Sequence, residues 1–293
     1  MKQISSTLFR GVCTALATPF RDGGIDWDAL AEMIEEQIAG GVSAICVCGT
    51  TGEAATLSDG ERLQLVARAA ELIDGRVDYV VGVGSPSTSR SVSYARFAAA
   101  NGADALLVVT PYYNKGTHEG ITRHFQTVAD STELPVILYN VPSRTGVDLT
   151  VDHIREIAAH PNIRALKEAG DSVEKLADFM AELGDRMYLY AGNDAALIPT
   201  LSLGGAGVIS VLSNILPRET QEIWRLWTSG HTGEAAKLSL RFLPLVRLLF
   251  AETNPAPLKC AMELMGISRG DLRLPLSPVS DALRERIRAQ LGL

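Results

Sequence analysis

Eight short apolar runs, each followed by a stretch of helical periodicity, predict an α/β chain folded as a (β/α)8 TIM barrel with a C-terminal helical appendage. The runs begin near Val12, Ala44, Tyr79, Ala105, Val136, Ile163, Met187 and Gly207. Past Pro217 the alternation stops. Glu219 to Trp227, Gly233 to Phe250, Ala256 to Met265 and Ser280 to Leu291 read as helices separated by Gly, Pro or Asn-Pro breaks. The first of these can close the barrel as its eighth helix. The expected division is therefore a (β/α)8 barrel over residues 1–230 and a helical region over 231–293.

Helix start signals agree with this spacing. Asp26 precedes Trp27, Leu30, Ile34 and Ile38. Ser58 and Glu61 have the spacing of a capping box ahead of Leu63, Val66, Ala70 and Ile73, and Asp171 with Glu174 repeats it ahead of Leu176 and Met180.

Composition narrows the function. The 293 residues are 46% hydrophobic and carry a formal net charge of -7 with no basic block, which argues against nucleic acid or an anionic membrane as partner. No run approaches the roughly 20 apolar residues of a membrane span, and the N-terminus lacks a signal-like apolar core. The chain reads as a cytoplasmic protein with a small-molecule ligand. Cys13, Cys46, Cys48 and Cys260 form no CxxC or disulfide framework and read as reduced structural thiols. The five histidines show no metal-ligand spacing. His153 and Glu156, one helical turn apart, read as an exposed helix pair.

In a barrel of this kind the carboxyl ends of the strands converge on one mouth, where chemistry is placed. The second strand runs into Gly49-Thr50-Thr51-Gly52-Glu53, whose hydroxyls and amides suit a carboxylate or a proton relay, although Thr-Thr-Gly is also ordinary turn chemistry. The fourth ends in Pro111-Tyr112-Tyr113-Asn114, where one tyrosine is expected to be rim packing. The fifth ends in Tyr139 and continues as Val141-Pro142-Ser143-Arg144-Thr145-Gly146. Tyr139 offers a phenol to a reacting centre, and Arg144 can fork onto a carboxylate or serve as a structural turn residue.

The sixth strand, Asn162 to Gly170, is the centre of the pattern. Alternation sets Ile163, Ala165 and Lys167 on one face and Arg164, Leu166 and Glu168 on the other. A lysine in line with core positions is costly unless it is paired or used, and a desolvated amine can attack carbonyls. Taken alone, the strand favours a lysine paired with Glu168 or with a backbone group. Its convergence with the other strand ends shifts the reading towards a nucleophile. Gly192-Asn193-Asp194 follow the seventh strand. Gly204, Gly205 and Gly207 fall at the amino end of the eighth, the wrong end for a phosphate loop, while Ile209 sits where it can line the pocket.

The order GTTGE (Gly49 to Glu53), TPYYN (Thr110 to Asn114), YNVPSRTG (Tyr139 to Gly146), LKEA (Leu166 to Ala169), GND (Gly192 to Asp194), GVIS (Gly207 to Ser210) and ETNPAPLK (Glu252 to Lys259) resembles the dihydrodipicolinate synthase family over nearly the whole chain. The wider superfamily includes N-acetylneuraminate lyase and keto-deoxy-sugar-acid aldolases, all pyruvate Schiff-base enzymes. Arg144 in SRTG discriminates among them. The resemblance implies condensation of pyruvate with L-aspartate 4-semialdehyde in the diaminopimelate route to lysine. It further implies Lys167 as Schiff-base nucleophile and Tyr139, Thr50 and Tyr113 as a proton relay. Thr51, Ile209 and Gly192 would serve the pyruvate side, and Arg144 would guide the semialdehyde carboxylate. No metal, flavin or nucleotide is implied. Tyr113 would cross a dimer interface within a homotetramer.

One departure concerns regulation. Lysine-inhibited members carry an asparagine and a glutamate after the third strand, where this chain has Pro86 and Arg90, so weak or absent feedback is expected. A sister aldolase acting on sugar acids, a phosphate-binding barrel enzyme and a non-catalytic ligand-binding barrel are the rival readings.

Overall fold

The computed structural model describes residues 8–170 and 172–293. Its strands are β1 (Gly11–Ala15), β2 (Phe20–Arg21), β3 (Gly24–Ile25), β4 (Ala44–Val47), β5 (Asp78–Gly82), β6 (Ala105–Val109), β7 (Val136–Asn140), β8 (Ile163–Glu168), β9 (Tyr188–Ala191) and β10 (Gly207–Ser210). Eight of them form a closed barrel in the order β1-β10-β9-β8-β7-β6-β5-β4, and β2 and β3 pair as a small antiparallel ribbon. The expected (β/α)8 fold is present, with strand starts within one residue of those read from the sequence.

The chain divides into two compact units. The first contains residues 78–209 together with the described residues 8–10. Here β5 to β9 pair in parallel, each with the next. The runs ALLVV of β6 and VILYN of β7 are almost wholly buried, because helices such as Thr88–Ala100 and His118–Ala129 cover the sheet. Each fully buried Ile or Leu among them contributes roughly 1.5–3 kcal/mol of transfer free energy.

The second unit contains residues 11–77 and 210–293. It joins β1 and β4 to six helices, Trp27–Ala39, Asp59–Ile73, Pro217–Thr228, Thr232–Leu249, Ala256–Leu264 and Asp281–Leu291. The last four match the helices expected beyond Pro217 to within two residues.

Capping follows the local chemistry. The Asp26 carboxylate accepts from Ala29 N, and Ser58 and Glu61 form the full reciprocal box. Asp171 lies outside the described residues; the helix Val173–Leu183 is capped by Ser172, whose hydroxyl accepts from Lys175 N. All four cysteines are buried thiols outside any disulfide, and burial pushes the Cys48 thiol up to about 11. Among the described residues no helix is long and apolar enough to cross a membrane.

Two expectations are corrected. His153 is not an exposed partner of Glu156: it is buried, its ring stacks 3.5 Å from that of His118, and it is His118 that pairs with Glu156 at 2.6 Å. Helix-to-helix packing, invisible to an i,i+3 reading, decides this. In β8, Leu166 and Glu168 are as buried as Ala165 and Lys167, because a parallel strand in this architecture is covered on both faces.

Candidate active site

In the first unit the site is built around β7 and β8. Their register sets Tyr139 beside Lys167 and Asn140 beside Glu168, and on the other side Lys167 pairs with Tyr190 of β9. Lys167 is 5% exposed, and its Nζ lies 4.2 Å from the centre of the Tyr139 ring. Among the described residues it makes no ion pair. The pairing with Glu168 favoured by the strand alone is therefore overturned, because Lys175 from the helix Val173–Leu183 takes the Glu168 carboxylate at 3.3 Å. An ammonium against an aromatic face is held by the ring quadrupole, and its nitrogen is not committed to a carboxylate.

Tyr139 is held from the neighbouring strand end. Its carbonyl accepts from Thr110 N at 2.9 Å and from Thr110 Oγ1 at 3.1 Å. Beyond Thr110 the chain turns into the loop bearing Tyr113, whose side chain is 90% exposed and whose φ is 72°. A tyrosine held in the left-handed region is uncommon. Tyr112 is half-buried, as expected of a rim residue.

After β7 a single helical turn, Pro142–Thr145, opens with proline at its first position and closes on Gly146 at φ 68°, where the Lys115 side chain lies across the backbone. Arg144 sits exposed in this turn. Gly192 follows β9, and its N donates to the Glu168 carbonyl at 2.6 Å. A Cβ there would come within 2.7 Å of that oxygen, so the close approach requires glycine. Ile209 near the end of β10 is fully buried.

The second unit carries the GTTGE loop after β4. Thr51 is buried, and its hydroxyl accepts from Asn254 Nδ2 at 3.0 Å. Thr50 is half-buried beside it. Gly52 gives its carbonyl to Thr18 Oγ1 at 2.7 Å. Glu53, at φ 51°, forms a fully buried ion pair with Lys259 and also accepts from Arg273 N at 3.1 Å. Lys259 adds a contact 4.1 Å from the Phe20 ring centre, and burial lowers its pKa against the opposing pull of Glu53. The ETNPAPLK segment thus anchors the GTTGE loop.

The family model of the dihydrodipicolinate synthetase family matches residues 8–292. The chain belongs to that family. A 4-hydroxy-tetrahydrodipicolinate synthase of Magnetococcus marinus is 42% identical over 280 residues, covering 96% of each chain. Among solved structures, the 4-hydroxy-tetrahydrodipicolinate synthase of Methylacidiphilum fumariolicum SolV superposes with a TM-score of 0.95 at 40% identity, over 97% of this chain and 95% of that one. The chloride-inhibited dihydrodipicolinate synthase of Acinetobacter baumannii, complexed with pyruvate, gives 0.95 at 38% identity, over 97% of this chain and 98% of that one.

In this dihydrodipicolinate synthetase family member, Tyr113, Tyr139, Arg144, Lys167, Gly192 and Ile209 fall in the first unit, while Thr50 and Thr51 fall in the second. Sequence reasoning passed over Asn140, Thr110, Lys175 and Asn254. Asn140 and Thr110 sit at strand ends beside assigned residues, a positional signal that was available. Asn254 lies within the ETNPAPLK motif, but its partner Thr51 is distant in the chain, and Lys175 has no motif to mark it.

Proposed function

We propose that the protein is a 4-hydroxy-tetrahydrodipicolinate synthase, condensing pyruvate with L-aspartate 4-semialdehyde through a Schiff base on Lys167 in the diaminopimelate route to lysine. The observation that carries this reading is a buried lysine with no ion pair among the described residues, lying 4.2 Å over the ring of its strand neighbour Tyr139. Once deprotonated, such a nitrogen is free to attack a carbonyl.

The Lys167 nitrogen adds to the ketone carbon of pyruvate, and loss of water leaves a protonated imine. That imine draws electrons from the methyl group, which gives up a proton to form an enamine. The enamine carbon then bonds to the aldehyde carbon of the semialdehyde. The semialdehyde's own amine attacks the imine carbon, closing the ring and returning Lys167 to a free amine.

Tyr139 moves the protons of imine formation and carbon–carbon bonding, with Thr50 and Tyr113 extending the relay. A phenol with a reference pKa near 10 is a weak base alone, so relayed transfer is chemically useful. Thr51, Gly192 and the Ile209 backbone serve the pyruvate side, and Arg144 takes the semialdehyde carboxylate. This chemistry uses no metal, flavin or nucleotide. The exposed side chain of Tyr113 suits a residue completed by another subunit, and membership of the family supports a homotetramer acting in the cytoplasm.

The test is borohydride reduction with pyruvate followed by peptide mass mapping. A reduced pyruvyl adduct on Lys167 is expected, and a folded protein that gives none at saturating pyruvate overturns the reading. Product analysis with aspartate semialdehyde against sugar acids separates this synthase from a sister aldolase.

A further inference from the structure

Lys167 and Glu168 are consecutive and both buried, and among the described residues no ion pair joins them. Strand alternation sends their side chains to opposite faces. On the Glu168 face the carboxylate is 1% exposed and accepts from Gly170 N at 2.7 Å and from Asn140 Nδ2 at 2.9 and 3.1 Å. Lys175 Nζ completes the set at 3.3 Å. Lys175 also pairs with Asp148, which accepts from Asn140 Nδ2 at 2.7 Å. Asn140 Oδ1 in turn accepts from Leu149 N at 3.1 Å.

Two features of this network matter for chemistry. Asn140 follows Tyr139 and Glu168 follows Lys167, so the bonds join the positions directly behind both residues and lock their register. A buried carboxylate without a cation is strongly disfavoured, and Lys175 supplies that cation to the network behind the two residues.

We propose that Glu168 and Lys175 are positioning residues: Lys175, shared between Glu168 and Asp148, supplies the cation of the buried network through which Asn140 and Glu168 hold Lys167 in register with Tyr139. This rests on the Schiff-base reading and extends it to residues that do not touch substrate.

The experiment measures the rate of borohydride-trapped pyruvyl adduct on Lys167 at saturating pyruvate, well below each variant's melting temperature. Wild type is the reference; no wild-type adduct would sink the Schiff-base reading itself. Lys175→Met leaves the Glu168 carboxylate without its cation and is expected to slow trapping by about tenfold or more, and Lys175→Arg to restore most of it. The double variant Glu168→Gln, Lys175→Met removes both charges and is expected to trap faster than Lys175→Met alone. A purely structural role predicts lower melting temperatures with trapping unchanged, or a double variant slower than the single one; either result overturns the proposal. Should Lys175→Met not fold, the double variant is compared with wild type: trapping within about threefold supports the proposal, and a loss of about tenfold overturns it.

Discussion

Lys167 stands beside Tyr139 in the β7–β8 register with its nitrogen 4.2 Å from the centre of the tyrosine ring. The contact uses the ring and leaves the hydroxyl for other work. Tyr139→Phe keeps the ring, the packing and the ammonium contact and deletes only the proton-transfer group. Turnover is expected to fall by about 10²–10⁴ with little change in melting temperature. Steady-state kinetics beside a thermal melt checks this; a large stability loss would mean that the hydroxyl supports the fold.

Tyr113 is 90% exposed, so its hydroxyl can contribute almost nothing to the stability of one chain. Tyr113→Phe is expected to lower turnover strongly at unchanged stability. If the residue is completed by a neighbouring subunit, specific activity also falls on dilution. Activity measured across a dilution series, with sedimentation at the same concentrations, tests both; near-normal turnover of the variant removes Tyr113 from the relay.

The Glu53–Lys259 pair is buried to 1% on both sides. Removing one partner leaves an uncompensated charge, and Lys259→Met or Glu53→Gln alone is expected to cost about 3–5 kcal/mol. Making both changes together should cost less than the sum. Urea denaturation of the two single variants and the double variant gives the coupling energy, and strict additivity would contradict a direct pair.

His124 is buried, its Nδ1 is hydrogen-bonded to Thr88 Oγ1 at 2.9 Å, and its Nε2 has no partner among the described residues. Burial lowers its pKa from 6.5 to about 4. The unfolded chain therefore takes up a proton that the fold refuses as pH falls from 6.5 towards 4. The associated stability is fully present above 6.5 and is lost on acidification, by on the order of 3 kcal/mol. His124→Asn should flatten the dependence of unfolding free energy on pH across this window, measured by denaturant titration at each pH. An unchanged slope would assign the effect elsewhere.

Arg90 occupies the helix Thr88–Ala100, at the place where lysine-inhibited relatives are expected to carry a carboxylate. A guanidinium there would repel the ammonium of free lysine, so feedback is expected to be weak. Initial rates over a lysine titration decide it: half-inhibition at submillimolar lysine would contradict the assignment.

Much of this was legible in the sequence because it rests on local rules. Strand and helix alternation follows from apolar periodicity, and the caps at Asp26 and Ser58 follow from side chains reaching three residues along the chain. The motif order placed Lys167 and Tyr139 at strand ends and Tyr113 and Arg144 in the segments that follow, because a residue's position along a strand sets which end of the barrel it occupies. What sequence could not supply was the choice of partner. Glu168 lies one residue from Lys167, yet it is paired by Lys175 seven residues on, and Glu53 finds Lys259 two hundred residues away. A charge pairs with whichever ion the packed helices and strand ends bring within reach, and that distance exists only after the chain has folded.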